Sequence, residues 1–285
     1  MANGPEITVV VPAWDDYAGV VLAAAVRSLR TQGVPVELVL VDNASARPLG
    51  EHDGATIVRL GRRVSVGAAR NAGLDRVRTP WVVFWDADDL MLSGTLDDLL
   101  RRASAEPRAV AVVARTVDGD TGEEYRWPRR WMRALSRANR AFAVAETVWG
   151  LFPTTGAALL RADAARAGGG FADADGGDDW AIGISLAFRG RVLFSDHPGR
   201  WYTRSSSSLS AGWGRADVSG NARVARARLR SDRGVPAPVR AATPLIGLAH
   251  AFLVHVLRPL LGRGRPERQR PIRRRSTYSP TSDPT

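Results

Sequence analysis

The sequence predicts an α/β fold, a mostly parallel sheet with helices on both faces, followed by a C-terminal helical extension. Three observations predict it. Short apolar, β-branched runs recur at residues 7–11, 36–41, 56–60, 81–85 and 109–115. Segments with helical spacing and short connections separate most of them, which is the pattern of βαβ units. Three of the runs lead straight into carboxylates, an arrangement that core packing alone does not explain.

Each element has its own reason. Residues 7–11 (ITVVV) read as a buried strand stopped by Pro12. Residues 17–31 place Val20, Val21, Ala24, Ala25 and Leu29 along one helical face, and Gly33 closes the helix. Residues 36–41 and 56–60 are the second and third strands, 65–77 a helix, and 81–85 the fourth strand. Residues 93–104 read as a helix capped by Ser93 or Thr95, and 109–115 as the fifth strand. Beyond residue 116 the pattern loosens. A polar turn region at 117–124 precedes a Trp- and Arg-rich stretch at 127–149, with Trp127, Arg129, Arg130, Trp131 and Trp149. A short strand at 157–160, a turn at 168–171, a helix at 178–188, a strand at 191–194 and a serine run at 205–210 follow.

These readings divide the chain into 1–116, 117–212, 213–262 and 263–285. Residues 244–261 are apolar apart from His250, His255, Arg258 and Pro259. The uninterrupted part, about 14 residues, is shorter than the roughly 20 that span a bilayer. It reads as a helix packed on the body, with an interfacial or oligomer contact left open. Residues 262–285 are rich in Arg, Pro and Ser and are expected to be disordered. There are no internal repeats.

Composition limits the function classes. The 285 residues include no cysteine, which excludes disulfides, thiolate metal sites and cysteine nucleophiles. The net charge is +11 and all 40 basic residues are Arg. Seven Arg against one Glu fall between 263 and 275, so the excess is partly a property of the tail. No aromatic–basic recognition module accompanies the charge, which argues against nucleic acid as a partner. No basic and apolar leader precedes the first strand, so the expected setting is cytoplasmic, with 244–261 as the point of any peripheral contact with the membrane's cytoplasmic face. The G-x-x-x-x-G-K-[ST], G-x-G-x-x-G and G-x-S-x-G patterns are absent from the positions where they would carry ATPase, dinucleotide or hydrolase chemistry.

In open α/β sheets ligands bind beyond the carboxyl ends of the strands. That rule selects Pro12–Asp16, Asp42–Ser45 and Asp86–Asp89. A nucleoside diphosphate held near carboxylates requires a divalent cation, and Mg²⁺ or Mn²⁺ takes one or two carboxylates with phosphate oxygens and water. Asp86 and Asp88, two residues apart at a strand end, would face one crevice; a capping cluster or solvated turn is the alternative. The small residues of Gly67–Gly73 let a helix approach another backbone closely, and Arg70 offers a fork suited to phosphate. Asp42 suits a uracil imide or a ribose hydroxyl, or else an Asx turn. Asp178 and Asp179 suit a general base, with Trp180 as a platform for a sugar face, or else favourable charges at a helix N-terminus.

Taken in order, these segments resemble the family 2 glycosyltransferases of GT-A fold. Residues 8–15 (TVVVPAWD) resemble V-V-I-P-x-Y-N, and residues 41–45 (VDNAS) resemble V-D-D-G-S. Gly67–Gly73 resembles G-x-x-x-A-R-N-x-G, and residues 84–89 (FWDADD) resemble F-L-D-A-D-D, the DXD-type motif. Gly170-Phe171 and then Gly177–Trp180 resemble G-F and G-E-D-x-x-L. The resemblance covers about residues 6–210 and implies a Rossmann-like nucleotide-binding half fused to an acceptor-binding half. It implies that Pro12, Ala13, Trp14, Asp15 and Asp42 line the nucleoside pocket, with Asp42 reading the base. Arg70 would face the diphosphate. Asp86 would hold the ribose or a metal-bound water, and Asp88 would ligate Mn²⁺ or Mg²⁺. Asp179 would be the catalytic base beside Asp178, and Trp180 and Trp149 would meet the acceptor. The implied reaction is inverting transfer from a UDP- or dTDP-sugar to a carbohydrate, lipid-linked or natural-product acceptor. Trp14 stands where Tyr is usual, Asp15 replaces Asn, Asp178 replaces Glu, and Ser205 stands where many relatives carry His. A nucleotidyltransferase would carry a Gly-rich basic loop after the first strand, which is missing here. A non-catalytic nucleotide-sugar-binding or membrane-surface scaffold is the remaining alternative.

Overall fold

The computed structural model describes residues 4–17, 19–52, 54–122, 124, 129–202 and 215–257. Trp127, Ser205 with the serine run, and the tail from 258 onward lie outside the described residues.

The first half alternates strand and helix as the patterning predicts. Strands β1 (Ile7–Ala13), β2 (Val36–Asp42), β3 (Ala55–Arg59) and β4 (Trp81–Phe84) are mutually parallel neighbours in the order β3-β2-β1-β4. Helices α1 (Val20–Arg30), α2 (Val66–Leu74) and α3 (Thr95–Ser104) connect or follow them. The two-residue β5 (Leu90–Met91) and then β6 (Ala109–Asp118), β7 (Ala158–Arg161) and β8 (Arg191–Tyr202) extend the sheet to eight strands, ordered β3-β2-β1-β4-β7-β6-β8-β5. β7 runs antiparallel to both its neighbours and β5 antiparallel to β8; the other pairs are parallel. The sheet is continuous across residue 116, which lies within β6.

Period-2 alternation builds two cores from one sheet. Val10, Val82, Phe84, Ala111 and Leu160 face α2 and the helices of the second half: α4 (Arg130–Arg137), α5 (Asn139–Val148), α6 (Ala162–Ala167) and α7 (Asp178–Ala187). Ile7, Val9, Val11, Val83 and Leu159 face α1 and α3. Helices α8 (Arg215–Ser231), α9 (Ala237–Ala241) and α10 (Thr243–Phe252), ending in a π-helical turn at Leu253–Leu257, form the C-terminal extension. Ala225, Leu229 and Ile246 join Ile184 of α7 in a third, small core, so the extension packs on the body.

Three local expectations change. Pro12 does not stop β1, which continues to Ala13. The Trp85 N–H donates to the Val10 carbonyl, so the even positions of β1 face β4. Pro12's missing N–H falls on that side, where β4 has already ended at Phe84 and no ladder bond is lost. α3 is capped by neither Ser93 nor Thr95: Gly94 holds the N-cap position at φ 75°, and the Thr95 hydroxyl donates to the Leu92 carbonyl. β8 runs to Tyr202, well beyond Phe194, because it pairs with β6 through register shifts, two of which absorb the loop-like sequence 195–199.

Candidate functional site

The carboxylates that follow β4 meet those that open α7, and the way they are held is specific. The Asp86–Asp89 loop leaves β4 and is fastened by Trp85, fully buried, whose Nε1–H donates to the Asp89 carbonyl at 3.1 Å. The loop turns at residues 87–88 and is not extended, so the two-residue period is not what brings Asp86 and Asp88 near each other; the turn does.

Across the crevice stands α2, drawn against β1 and against the loop that leads into α7. A Cβ at Gly67 would fall 1.9 Å from the Ala172 carbonyl oxygen, and one at Gly73 would fall 2.2 Å from a Val10 methyl. Only glycine permits either approach. Asn71 fastens the same loop reciprocally: its Nδ2 donates to the Phe171 carbonyl at 2.9 Å and its Oδ1 accepts from the Phe171 N–H at 2.8 Å. The N-terminus of α2 is filled by this chain's own acids, with the Val66 N–H on Asp175 at 2.8 Å and the Ser65 hydroxyl on Asp173 at 2.5 Å.

This docking brings Arg70 to Asp178. Arg70 is 8% exposed; its Nη1 donates to Asp178 Oδ2 at 2.6 Å and its Nη2 to Asp86 Oδ1 at 3.2 Å. Arg200, on β8, donates to the other oxygen of Asp86 at 2.8 Å and pairs with the fully buried Asp89. Gly156 is required beneath it, since a Cβ there would fall 2.6 Å from Arg200 Nη1. A continuous relay results: Asp178, Arg70, Asp86, Arg200, Asp89. Both expected partners of Arg70 and Asp86, the diphosphate and the metal, thus meet groups already engaged within the protein.

Two carboxylates stand outside the relay. Asp88 and Asp179 are half-buried, and neither forms an ion pair among the described residues. Burial raises the Asp88 carboxyl above its ordinary value and the charge of Asp86 adds to this, with Arg200 opposing. Asp179 opens α7, its Oδ1 accepting the Trp180 N–H at 2.7 Å. Asp178, 3% exposed, is pushed up to about 6 by burial; Arg70 opposes the rise and Asp179 adds to it. Five carboxyl groups therefore face two guanidinium groups, a surplus of negative charge. That surplus, and Asp88 with no cation of its own, fit a divalent ion carried in with phosphate oxygens. No cluster of three or more ligating side chains occurs among the described residues, so the protein would supply few of the ligands.

The nucleoside side differs from expectation. Asp42 is fully buried and does not face the crevice. Its oxygens accept from the Ser45 N–H at 2.9 Å, the Leu49 N–H at 3.3 Å and Arg59 at 2.5 Å. Burial alone would raise this carboxyl, but the hydrogen bonds outweigh it and hold it below the usual carboxylate value. Asp42 is the Asx-type anchor of the loop. Asp15 is exposed and grips the same loop through the Ala46 N–H at 2.8 Å. Trp14, 9% exposed, packs edge-on to Tyr17 with ring centroids 4.6 Å apart, and Arg63 covers its ring at 4.3 Å. Pro12 and Ala13 are buried in β1.

Trp149 and Trp180, the residues expected to meet the acceptor, converge on His250 of α10, with ring centroids 5.8 Å and 5.4 Å away. The Trp180 indole N–H donates to the Glu146 carbonyl at 2.7 Å. Glu146 is fully buried: its Oε2 accepts the Leu151 N–H at 2.6 Å and its Oε1 has no partner. Burial pushes its carboxyl well above the ordinary value, the Leu151 N–H opposing and the charge of Asp179 adding. Sequence reasoning missed Arg200, Glu146 and the place of His250. The one signal for Arg200 was its alternation with Tyr202 after a run that reads as a loop.

The sequence profile described as "Glycosyl transferase family 2" matches residues 8–169, more than half of the 285 residues. The chain belongs to glycosyl transferase family 2. Its relative "Succinoglycan biosynthesis protein ExoO" from Rhizobium meliloti (strain 1021) is 32% identical over 114 residues, 38% of this chain and 32% of ExoO. The chain thus matches about a third of that relative's length. Among solved structures, S. aureus TarS 1-349 in complex with UDP-GlcNAc gives a TM-score of 0.62 at 15% identity, covering 87% of this chain and 73% of that one. A longer S. aureus TarS chain is covered over only 43% of its length, at 14% identity and a TM-score of 0.59. The mannosyltransferase PcManGT from Pyrobaculum calidifontis, in complex with GDP-Man and Mn²⁺, gives 0.60 at 22% identity, covering 92% and 73%. At these identities the likeness is one of fold, and this family 2 chain has the GT-A architecture that its motifs imply.

Proposed function

We propose that this chain transfers a sugar from a UDP- or dTDP-linked donor to an acceptor hydroxyl, with inversion at the anomeric carbon. One observation carries the reading. Of the five carboxyl groups lining the crevice, arginines engage Asp86, Asp89 and Asp178, and leave Asp88 and Asp179. Those two are the groups that the motifs assign to metal and base.

Asp88 would hold Mn²⁺ or Mg²⁺ together with the donor's phosphate oxygens and water. The ion's chemistry is to offset charge on the departing diphosphate. Asp86 is set in orientation by Arg70 and Arg200, which also place positive charge beside the leaving group. Asp178 is tied to Arg70, so the base is Asp179. Its carboxylate takes the acceptor's hydroxyl proton as the acceptor oxygen bonds to the anomeric carbon. The carbon–oxygen bond to the diphosphate breaks at the same time, and the diphosphate leaves with the electron pair. Asp42 acts through the loop it holds, with Ala13, Trp14 and Asp15 at the nucleoside end. Trp149 and Trp180 form the acceptor wall.

The test is a panel of UDP-, dTDP- and GDP-sugars, reading nucleoside diphosphate released to water. The reading expects one donor class to turn over with Mn²⁺ or Mg²⁺ and to stop in chelator. Equal turnover in chelator contradicts the metal role; no turnover of any donor under either condition contradicts the transferase reading.

A further inference from the structure

The C-terminal extension presents a surface that the reaction does not use. From Thr243 to Leu257 the sequence carries no acidic residue and no arginine. Thr243, Ile246, His250 and Val254 turn inward and are buried. The opposite face carries Leu245 at 68% exposure, Leu248 at 68%, Phe252 at 55% and Val256 at 41%. Their spacing of three or four residues makes one apolar stripe in solvent. A helix at a water-facing surface ordinarily turns charged residues outward, and this one turns leucine and phenylalanine outward.

Beside it runs a second stripe, on α8. Arg223, Arg226 and Arg230 lie three and four residues apart, on one helical face. None forms an ion pair with a carboxylate among the described residues. Arg226 feels burial and then the like charges of Arg230 and Arg223, all of which disfavour its charged state. α8 lies against α10: a Cβ at Gly247, toward the inner side of α10, would fall 3.3 Å from Arg226 Cδ. Seven further arginines, against one glutamate, follow in the sequence between 263 and 275.

We propose that the outer face of α10, together with Arg223, Arg226 and Arg230 of the neighbouring α8, docks on an anionic lipid bilayer surface. An apolar stripe flanked by arginines is the arrangement by which a helix lies in a membrane interface: the apolar side chains enter the acyl boundary and the guanidinium groups meet anionic headgroups. No described helix is long and apolar enough to cross a membrane, so the contact is peripheral for this surface. A protein partner would have to match both an unbroken apolar stripe and crowded like charges; an anionic lipid surface offers both at once. Because the inner face of α10 carries His250 between Trp149 and Trp180, docking would set the acceptor wall close to the bilayer. The proposal stands on α8 and α10 alone, and failure of donor turnover leaves it intact.

The test is flotation of the purified full chain with vesicles of phosphatidylcholine, and of phosphatidylcholine with phosphatidylglycerol, at low and high salt. The full chain floats with the anionic vesicles and not with the neutral ones. The variant Leu248→Ser with Phe252→Ser, at exposed positions whose change leaves the melting curve in place, binds at least tenfold more weakly, since each loses roughly a Leu- or Phe-sized burial. Replacing Arg223, Arg226 and Arg230 by Gln weakens binding roughly fivefold per arginine. Three outcomes overturn the proposal: no flotation with anionic vesicles at low salt; flotation unchanged by the serine variant, with an oligonucleotide captured equally well; or a dimer in the absence of lipid that the serine variant dissociates, which would make a second copy the occupant.

Discussion

Replacing Arg200 by Met tests the relay where it is most constrained. The Arg200 side chain is 15% exposed and its partner Asp89 is fully buried. Met fills most of the stem's volume but removes the charge, so the fully buried Asp89 loses its ion pair with Arg200. Breaking a buried pair in this way costs about 3–5 kcal/mol. For a domain of this size each kcal/mol moves the melting temperature by about 2–4 °C, so the drop should be about 6–20 °C. Adding Asp89→Asn to Arg200→Met should recover a large part of the loss, because the buried charge is gone. Donor hydrolysis should fall more than tenfold in both variants, since Asp86 keeps only its Arg70 contact. Thermal denaturation followed by circular dichroism, with diphosphate release alongside, measures all of this. A shift under about 2 °C in Arg200→Met, or no recovery in the double variant, would refute the idea that Arg200 neutralises a buried acid.

Three further outcomes follow from the same geometry. Arg70→Met strands Asp178, whose carboxyl then rises beyond its present value of about 6; destabilisation measured by urea unfolding should reach about 3–5 kcal/mol at pH 8 and be smaller at pH 5. Glu146 has a folded-state value raised above its unfolded one, so its proton is held more tightly in the fold, and stability falls as pH rises above the ordinary carboxylate range. Glu146→Gln removes that dependence and should gain on the native chain steadily from pH 5 to pH 8; parallel melting curves at both pH values would count against a neutral buried acid. Asp42→Ala leaves the Ser45 and Leu49 N–H groups without an acceptor and should cost about 1–3 kcal/mol, with amide exchange accelerated across residues 43–49; unchanged exchange there would show that the anchor does not hold the loop.

Much of this molecule was legible because β1, β4 and most of β2 are buried on both faces and so read as unbroken apolar runs, while the edge strand β3 is half-buried or exposed. Residues 7–11 and 36–41 fall on strands, 56–60 and 81–85 do so to within one residue, and the acids after the fourth run meet Arg70 and Arg200. Gly67 and Gly73 announced close backbone approach, and the contacts with Ala172 and Val10 are that approach. What escaped depends on partners distant in sequence. Residues 195–199 (SDHPG) carry turn chemistry, and only pairing with β6, some eighty residues earlier, makes them part of a strand. Arg200 was hidden for that reason. Asp42 and Asp86 were found by position, but their occupancy by Arg59, Arg70 and Arg200 is a matter of side-chain geometry that a one-dimensional pattern does not contain. Asp86 and Asp88 were paired by an argument from extended backbone, and a turn brings them near each other instead.

The most direct measurement compares Asp88→Ala and Asp179→Asn with the native chain in one donor-hydrolysis and donor-binding experiment, with Mn²⁺ present and absent. Both positions lie outside the arginine relay, so both variants should keep the native melting temperature to within a few degrees. Asp88→Ala should lose metal-dependent donor binding, whereas Asp179→Asn should bind donor as the native chain does and lose turnover by at least a hundredfold. Donor binding and turnover left intact in both variants would contradict the assignment of the two unpaired carboxylates to metal and base.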